Sequence, residues 1–255
     1  MNPLVSIVLA THVYDCKFRQ AVASCLDQTF QDFELIIMVN GANSQFVFSS
    51  ISSMYACNPK VTFHIANHNF LNFSLSLGIH LSKGSLVARM DADDISYPER
   101  LEKQVSFMIS NPEVGVLGTS YDIIDSLGNV LSTRYPPATD SKIRSSLFLQ
   151  NPLCHPSVMF RRDTVSELGG YLGGLHAEDY DLWARLATST SIKFANLSEV
   201  CIGYRSYGSG QSRRNRAAYA SMTAIQVYNF VYTKDSRWLF AAIVSYLKSM
   251  FRSAQ

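Results

Sequence analysis

The sequence predicts an α/β fold, a Rossmann-like and mostly parallel central sheet flanked by helices, with further helices at the C-terminal end. Three observations carry it. Short β-rich apolar runs alternate with helical stretches up to residue 90; those runs are apolar on both faces, as strands covered by helices on both sides must be; and carboxylates cluster where one run ends, which is where open α/β sheets bind ligands.

Residues 4–10 (LVSIVLA) read as the first strand. A helix follows, with Asp15 as its N-cap and Phe18, Val22, Cys25 and Leu26 on one face. Residues 34–39 (ELIIMV) form the second strand and end at the turn Asn40-Gly41-Ala42-Asn43; a polar, weakly helical stretch leads to a third strand over 61–66. Residues 74–81 read as a helix stopped at Gly84, and 85–90 (SLVARM) as the fourth strand. Pro98 takes the first position of a helix striped by Leu101, Val105 and Met108 and ended by Asn111 and Pro112. A strand and hairpin over 114–134 turn at Leu127-Gly128-Asn129. Beyond Asp140 come a helix over 141–149, the segment NPLCHPSVMFRR, a break at Gly169-Gly170, the helical HAEDYDLWARLAT, two short strands, and helices from Asn215 onward. No repeat, low-complexity tract or linker divides the chain, which favours one continuous domain.

With 255 residues, 47% of them hydrophobic and 16% charged, the chain can bury a large core. A net charge of +2 with no long basic run argues against a nucleic-acid surface. The five cysteines are scattered and never spaced CxxC, which suits a reducing compartment with buried thiols. The first ten residues lack a basic n-region, and their apolar stretch is too short for a signal peptide, so a cytoplasmic protein is expected. Residues 236–252 (SRWLFAAIVSYLKSMFR) are strongly apolar, bracketed by Arg237, Lys248 and Arg252, and too short to span a bilayer. Two readings stand: a helix lying in a membrane interface, and a helix packed on the body.

Two acidic clusters carry the chemistry. In LVARMDADDISYPERL, Asp91, Asp93 and Asp94 follow a buried strand, where like charges so close must be neutralised or held apart. An EF-hand loop is excluded, because Ile95 stands at the fifth position and Ser96 where glycine is required. An aspartyl nucleophile for phosphoryl transfer would want a small hydroxyl residue where Ile95 stands. A clamp for Mg²⁺ or Mn²⁺ on a nucleotide diphosphate fits hard oxygen donors and relieves the repulsion. A solvated turn capping the next helix is the plainer reading. In the second cluster, Glu178, Asp179 and Asp181 open a helix; they read as N-terminal capping charges or, for Asp179 held on a rigid helix, as a general base.

Six segments occur in a telling order: PLVSIVLATHVYD, SCLDQTFQDFELIIMVN, SKGSLVARMDADDISYPERLEKQ, NPLCHPSVMFRRD, LGGYLGGLHAEDYDLWARLA and YRSYGSGQS. In that order the chain resembles family 2 glycosyltransferases of the GT-A fold, especially bacterial enzymes that build O-antigen, capsule or exopolysaccharide repeats. The resemblance runs from Pro3 to Ser212. It implies a GT-A domain over 1–212, which leaves 213–255 as a C-terminal helical extension for which the membrane-surface and packed-helix readings both stand. It also implies an inverting transfer of sugar from a nucleotide-diphosphate donor to a saccharide or polyprenyl-diphosphate-linked acceptor, at the inner face of the cytoplasmic membrane.

By that resemblance Asp93 ligates the Mn²⁺ or Mg²⁺ and Asp91 contacts the ribose or a metal-bound water, while Asp94 only caps the following helix. Asp179 deprotonates the acceptor hydroxyl and Glu178 beside it orients acceptor or base. Thr11 is carried over as a nucleotide contact, and His155 matches a position near the acceptor pocket. Asn40 stands where the family uses Asp to accept a hydrogen bond from uracil, and its amide oxygen can still accept, so UDP is the expected donor carrier. Phe73 and Ser76 replace a basic residue and an Asn, which leaves the diphosphate to the metal or to Arg205, Arg213 and Arg214. A family His, in some members a metal ligand, is missing from YGSGQS. The alternative implied by these departures is a catalytically inactive GT-A module that binds sugar or a partner. A nucleotidyltransferase would want a Gly-rich loop after the first strand, and ATHVYDCKF has no glycine.

Overall fold

The computed structural model describes residues 2–173, 176–206 and 216–251. Strands β1 (Val5–Thr11), β2 (Phe33–Val39) and β3 (Val61–Ile65) lie parallel, and β4 (Leu86–Asp91) pairs with the other side of β1. The sheet continues from β4 through β8 (Met159–Arg161), β6 (Val114–Ile124) and β9 (Lys193–Arg205) to the two-residue β5 (Ile95–Ser96), with β7 (Val130–Arg134) hairpinned onto β6. From β1 the chain adds strands in one direction and then returns to place β4 in the other. Such a reversal parts the loops at the strands' carboxyl ends and leaves a crevice there.

Side chains alternate across the strands and build two cores. Val5, Ile7 and Leu9 of β1 and Leu86, Ala88 and Met90 of β4 pack with helices α1 (Cys16–Leu26), α2 (Ser44–Tyr55) and α4 (Arg100–Ser110). Val8 and Val87 point the opposite way, into a core with α3 (Leu71–Leu81), α5 (Asp140–Leu147), α6 (Arg162–Ser166), α7 (Glu178–Leu186), α8 (Arg216–Thr233) and α9 (Ser236–Met250). Along β4 that second face continues through Arg89 to Asp91. Buried Arg100 of α4 ties the strand's end from behind, donating from Nη2 to the carbonyls of Arg89 (2.8 Å) and Val158 (3.3 Å).

Several expectations change in detail. Asp15 caps α1 through Phe18 N–H (2.8 Å), as expected. Pro98, by contrast, lies outside α4, whose N-cap is Glu99, and α3 begins three residues before Ser74. The two short strands after α7 are one strand of 13 residues, β9, which stays paired with β6 through register shifts around Thr119 and Ser120. NPLCHPSVMFRR supplies β8, antiparallel to both β4 and β6. The 212/213 division falls outside the described residues, but Tyr219, Met222, Ile225 and Trp238 share the core of the preceding body.

Candidate active site

Two cavities open at the carboxyl ends of β1, β2 and β4, and Leu71 and Asp91 line both. The first, about 520 Å³, is lined by Thr11, His12, Asp15, Asn40 and Asp93. Thr11 is buried at the end of β1; its hydroxyl donates to Val13 O (2.7 Å) and fixes the turn leaving the strand. Asn40 follows β2, and Gly41 turns the chain there with φ +89°, a conformation glycine adopts without strain. The Ser74 hydroxyl donates to Phe70 O, so Asn40 must offer its NH₂ to Ser74 (2.8 Å), leaving its oxygen as the acceptor for the cavity.

The three aspartates meet as a cluster, with one carboxylate oxygen from each lying within 4.8 Å of the others. Each is handled differently. Asp91, last residue of β4, ion-pairs with Arg89 Nη2 two residues earlier on the same face of the strand. Asp94, expected at the surface as a helix cap, is instead fully buried; its Oδ1 accepts the Arg205 backbone N–H (2.7 Å), which ties the β4 loop to the end of β9. Burial and the charge of Asp91 push its pKa well above the usual carboxylate range. Its Oδ2 is buried with no hydrogen-bond partner among the described residues. A crowded set of hard oxygen donors with one orphaned oxygen fits a divalent cation, so Asp91, Asp93 and Asp94 would hold it.

Arg205, expected to contact the donor, sits elsewhere. It is fully buried, and its guanidinium donates to the carbonyls of Asp93 (2.7 Å), Asp125 (2.9 Å) and Ser126 (2.7 Å) and to Gln20 Oε1 (3.0 Å). It lines neither cavity and acts as the fastener behind the aspartate loop. Arg213 and Arg214 lie outside the described residues, as does all of YGSGQS. Ser76 exchanges hydrogen bonds with Tyr171 N–H (3.0 Å) and C=O (3.1 Å), and so holds the segment before α7.

The second cavity, about 470 Å³, carries Arg89, Asn151, His155, Glu178, Asp179 and Tyr204, with Ala218 and Met222 of α8. Asp179, in the first turn of α7, accepts from Asn151 Nδ2 (2.6 Å) and from the Tyr180 N–H (2.7 Å). Its Oδ2 lies 4.0 Å from His155 Nδ1, and His155 Nε2 meets the Tyr171 hydroxyl at 2.8 Å. Burial and the charge of Arg89 hold the His155 pKa well below its ordinary value, so near pH 7 the ring is neutral and does not pair the charge of Asp179. Burial and the charge of Asp179 raise Glu178 to about 7. The cavities thus present an acidic rim that fits a divalent cation on one side and a positioned carboxylate on the other, joined at Asp91.

Arg89, Asn151 and Tyr171 were not among the expected site residues. Arg89 had a signal: a lone cation in an apolar strand, two residues before Asp91, must share its face. Asn151 and Tyr171 reach the site only through the packing of separate segments.

A family model described as "Glycosyl transferase family 2" matches residues 6–169. The chain is 30% identical over 251 residues to the O-antigen biosynthesis glycosyltransferase WbnJ of Escherichia coli, covering 98% of this chain and 97% of that one. It is 31% identical to the amylovoran biosynthesis glycosyltransferase AmsE of Erwinia amylovora, over 83% of this chain and 79% of that one. It is 25% identical to an E. coli UDP-Gal:alpha-D-GlcNAc-diphosphoundecaprenol beta-1,3-galactosyltransferase, over 90% and 84%. Among solved structures, S. aureus TarS 1-349 in complex with UDP-GlcNAc superposes with TM-score 0.68 at 15% identity, over 89% of this chain and 66% of that one. PcManGT of Pyrobaculum calidifontis, in complex with GDP-Man and Mn2+, superposes with TM-score 0.62 at 12% identity, over 100% and 77%. The two structural likenesses bear on the fold.

Proposed function

The chain belongs to glycosyl transferase family 2 and is a glycosyltransferase; from that premise we propose that it transfers a sugar with inversion from a UDP-sugar to a saccharide or lipid-diphosphate-linked acceptor in bacterial surface polysaccharide synthesis. The observation that carries this reading is the pair of cavities joined at Asp91, one also lined by Asp93 of the aspartate cluster and the other by Asp179. The donor nucleotide takes the first cavity, with the uracil ring donating to Asn40 Oδ1 and the ribose against Thr11 and Asp91. Asp93, with Asp91 and Asp94, would hold a divalent cation, Mn²⁺ or Mg²⁺, which would supply charge stabilisation for the departing diphosphate.

The acceptor takes the second cavity. Asp179, steadied by Asn151 and by its own helix N-terminus, accepts the proton of the acceptor hydroxyl as that oxygen attacks the anomeric carbon from the face opposite the nucleotide. Glu178, titrating at about 7, hydrogen-bonds the acceptor and sets its approach. One displacement inverts the anomeric centre. With a lipid-linked acceptor, the reaction takes place at a membrane surface.

The test is a panel of nucleotide sugars with Mn²⁺ and lipid-diphosphate or saccharide acceptors, run on wild type and on Asp179→Ala. Wild type should turn over one donor, and the variant should bind it equally well while losing about 10²- to 10⁴-fold in kcat. If no donor binds or turns over, the proposal fails. If a donor binds but none turns over, the chain is a binding module, and if turnover survives Asp179→Ala, Asp179 is not the base.

A further inference from the structure

The two C-terminal helices are amphipathic in reverse. α9 turns small or ring side chains inward, Trp238, Ala241, Ala242, Ser245 and Ser249. Its large apolar residues point out: Leu239, Phe240, Ile243, Tyr246, Leu247 and Met250 are 40–61% exposed. Their spacing places all six on one helical face. α8 repeats the pattern, with Val227, Tyr228, Val231 and Tyr232 at 43–68% exposed. A helix that only packed on the body would turn these side chains to the core, and an apolar face of this extent marks an interaction surface.

Charge identifies the partner. Residues 216–251 hold four cationic side chains, Arg216, Lys234, Arg237 and Lys248, against the single carboxylate of Asp235. That carboxylate is already engaged as the N-cap of α9 and in an ion pair with Arg237 (2.6 Å). In a two-fold self-association the same patch would meet itself, setting these cations against their own copies. An anionic lipid surface takes both features, since acyl chains accept the apolar stripe and headgroups accept the basic flank. Exposed tyrosines, two of them stacked at 6.2 Å, suit the level of the headgroups. No described helix is long and apolar enough to cross a membrane.

The same helix reaches the chemistry. Ala218 and Met222 of α8 line the second cavity, and the outward stripe begins at Val227, little more than one turn along. We propose that the outward face of α8 and α9 is a monotopic binding surface for anionic lipid bilayers, and that it seats the mouth of the acceptor cavity at the headgroups, where a lipid-anchored acceptor presents its sugar. The second half of this statement rests on the acceptor reading given above; the first does not.

The experiment is sedimentation of the purified chain with vesicles of phosphatidylglycerol and phosphatidylcholine in equal parts, and with phosphatidylcholine alone. Wild type should bind the mixed vesicles and bind the neutral ones about tenfold or more weaker. The double variant Phe240→Ser, Leu247→Ser should bind the mixed vesicles about tenfold or more weaker than wild type, with its Tm unchanged because both side chains face outward. Absence of wild-type binding, or binding that the double variant retains in full, overturns the proposal. So does a dimer in solution that the double variant dissolves, which would assign the face to a second copy. Donor binding measured on the same proteins separates the two readings: vesicle binding lost with donor binding intact leaves glycosyl transfer standing.

Discussion

Replacing Glu178 with Gln should make the protein more stable in alkaline solution. Burial and the neighbouring Asp179 raise the Glu178 pKa from the ordinary 4.5 to about 7 in the folded state. A carboxyl whose pKa is raised by folding favours its protonated form, so its ionised form is held against a penalty. That penalty is absent below about pH 4, where folded and unfolded states are both protonated. It grows as pH rises through the interval between the two pKa values and is complete above about pH 8. The rise corresponds to about 3 kcal/mol of folding stability, or roughly 6 °C in Tm for a chain of this size. Gln keeps the shape and cannot ionise. Urea unfolding of metal-free protein between pH 4 and pH 8 should give a wild-type stability that falls relative to Glu178→Gln by about that amount. Parallel profiles would show that the Glu178 carboxylate is solvated and would refute the reasoning.

Three further substitutions probe the aspartate cluster. Asp93→Asn should weaken UDP-sugar binding in Mn²⁺ by about tenfold or more, measured by calorimetry, and chelation of metal from wild type should have the same effect. Asp94→Ala should cost about 1–3 kcal/mol of stability by denaturant midpoint, because it strands the buried Arg205 N–H, while Asp94→Asn, which retains an acceptor oxygen, should recover most of it. Arg89→Met removes the cation paired with Asp91, so added Mn²⁺ should raise the Tm of this variant by more than it raises that of wild type.

The first half of the fold was legible because β1, β2 and β4 are covered on both faces and read as unbroken apolar runs. β9 was misread as two strands because Asn196, Ser198 and Glu199 interrupt its apolar pattern, and the register shifts around Ser120 absorb that interruption without ending the pairing. β8 was not expected: its three residues are too few to show a period, and it exists because β4 and β6 flank it. In the site, carboxylates at a strand end and at a helix start announced themselves by position. Asn151 and Tyr171 could not, since nothing local distinguishes a side chain that reaches Asp179 or His155 across the fold.

Arg205 and Asp94 share one cause of error. Each was assigned by what its side chain could do in water: a guanidinium to bind phosphate, an aspartate to cap the next helix. Both are buried against backbone instead, the Arg205 guanidinium donating to Asp93 O and the Asp94 carboxylate accepting from Arg205 N–H. These contacts fix the aspartate loop from the side away from the cavity. Asp91 is meanwhile held by Arg89 from the strand, so the cluster reaches its geometry before any ligand arrives. Asp94 Oδ2 stays buried and unpaired among the described residues. A divalent cation at the cluster would relieve the crowding that, with burial, raises the Asp94 pKa. A cation and diphosphate that bind only the folded state should therefore stabilise the β4 loop and the end of β9 together, because the two are one hydrogen-bonded unit.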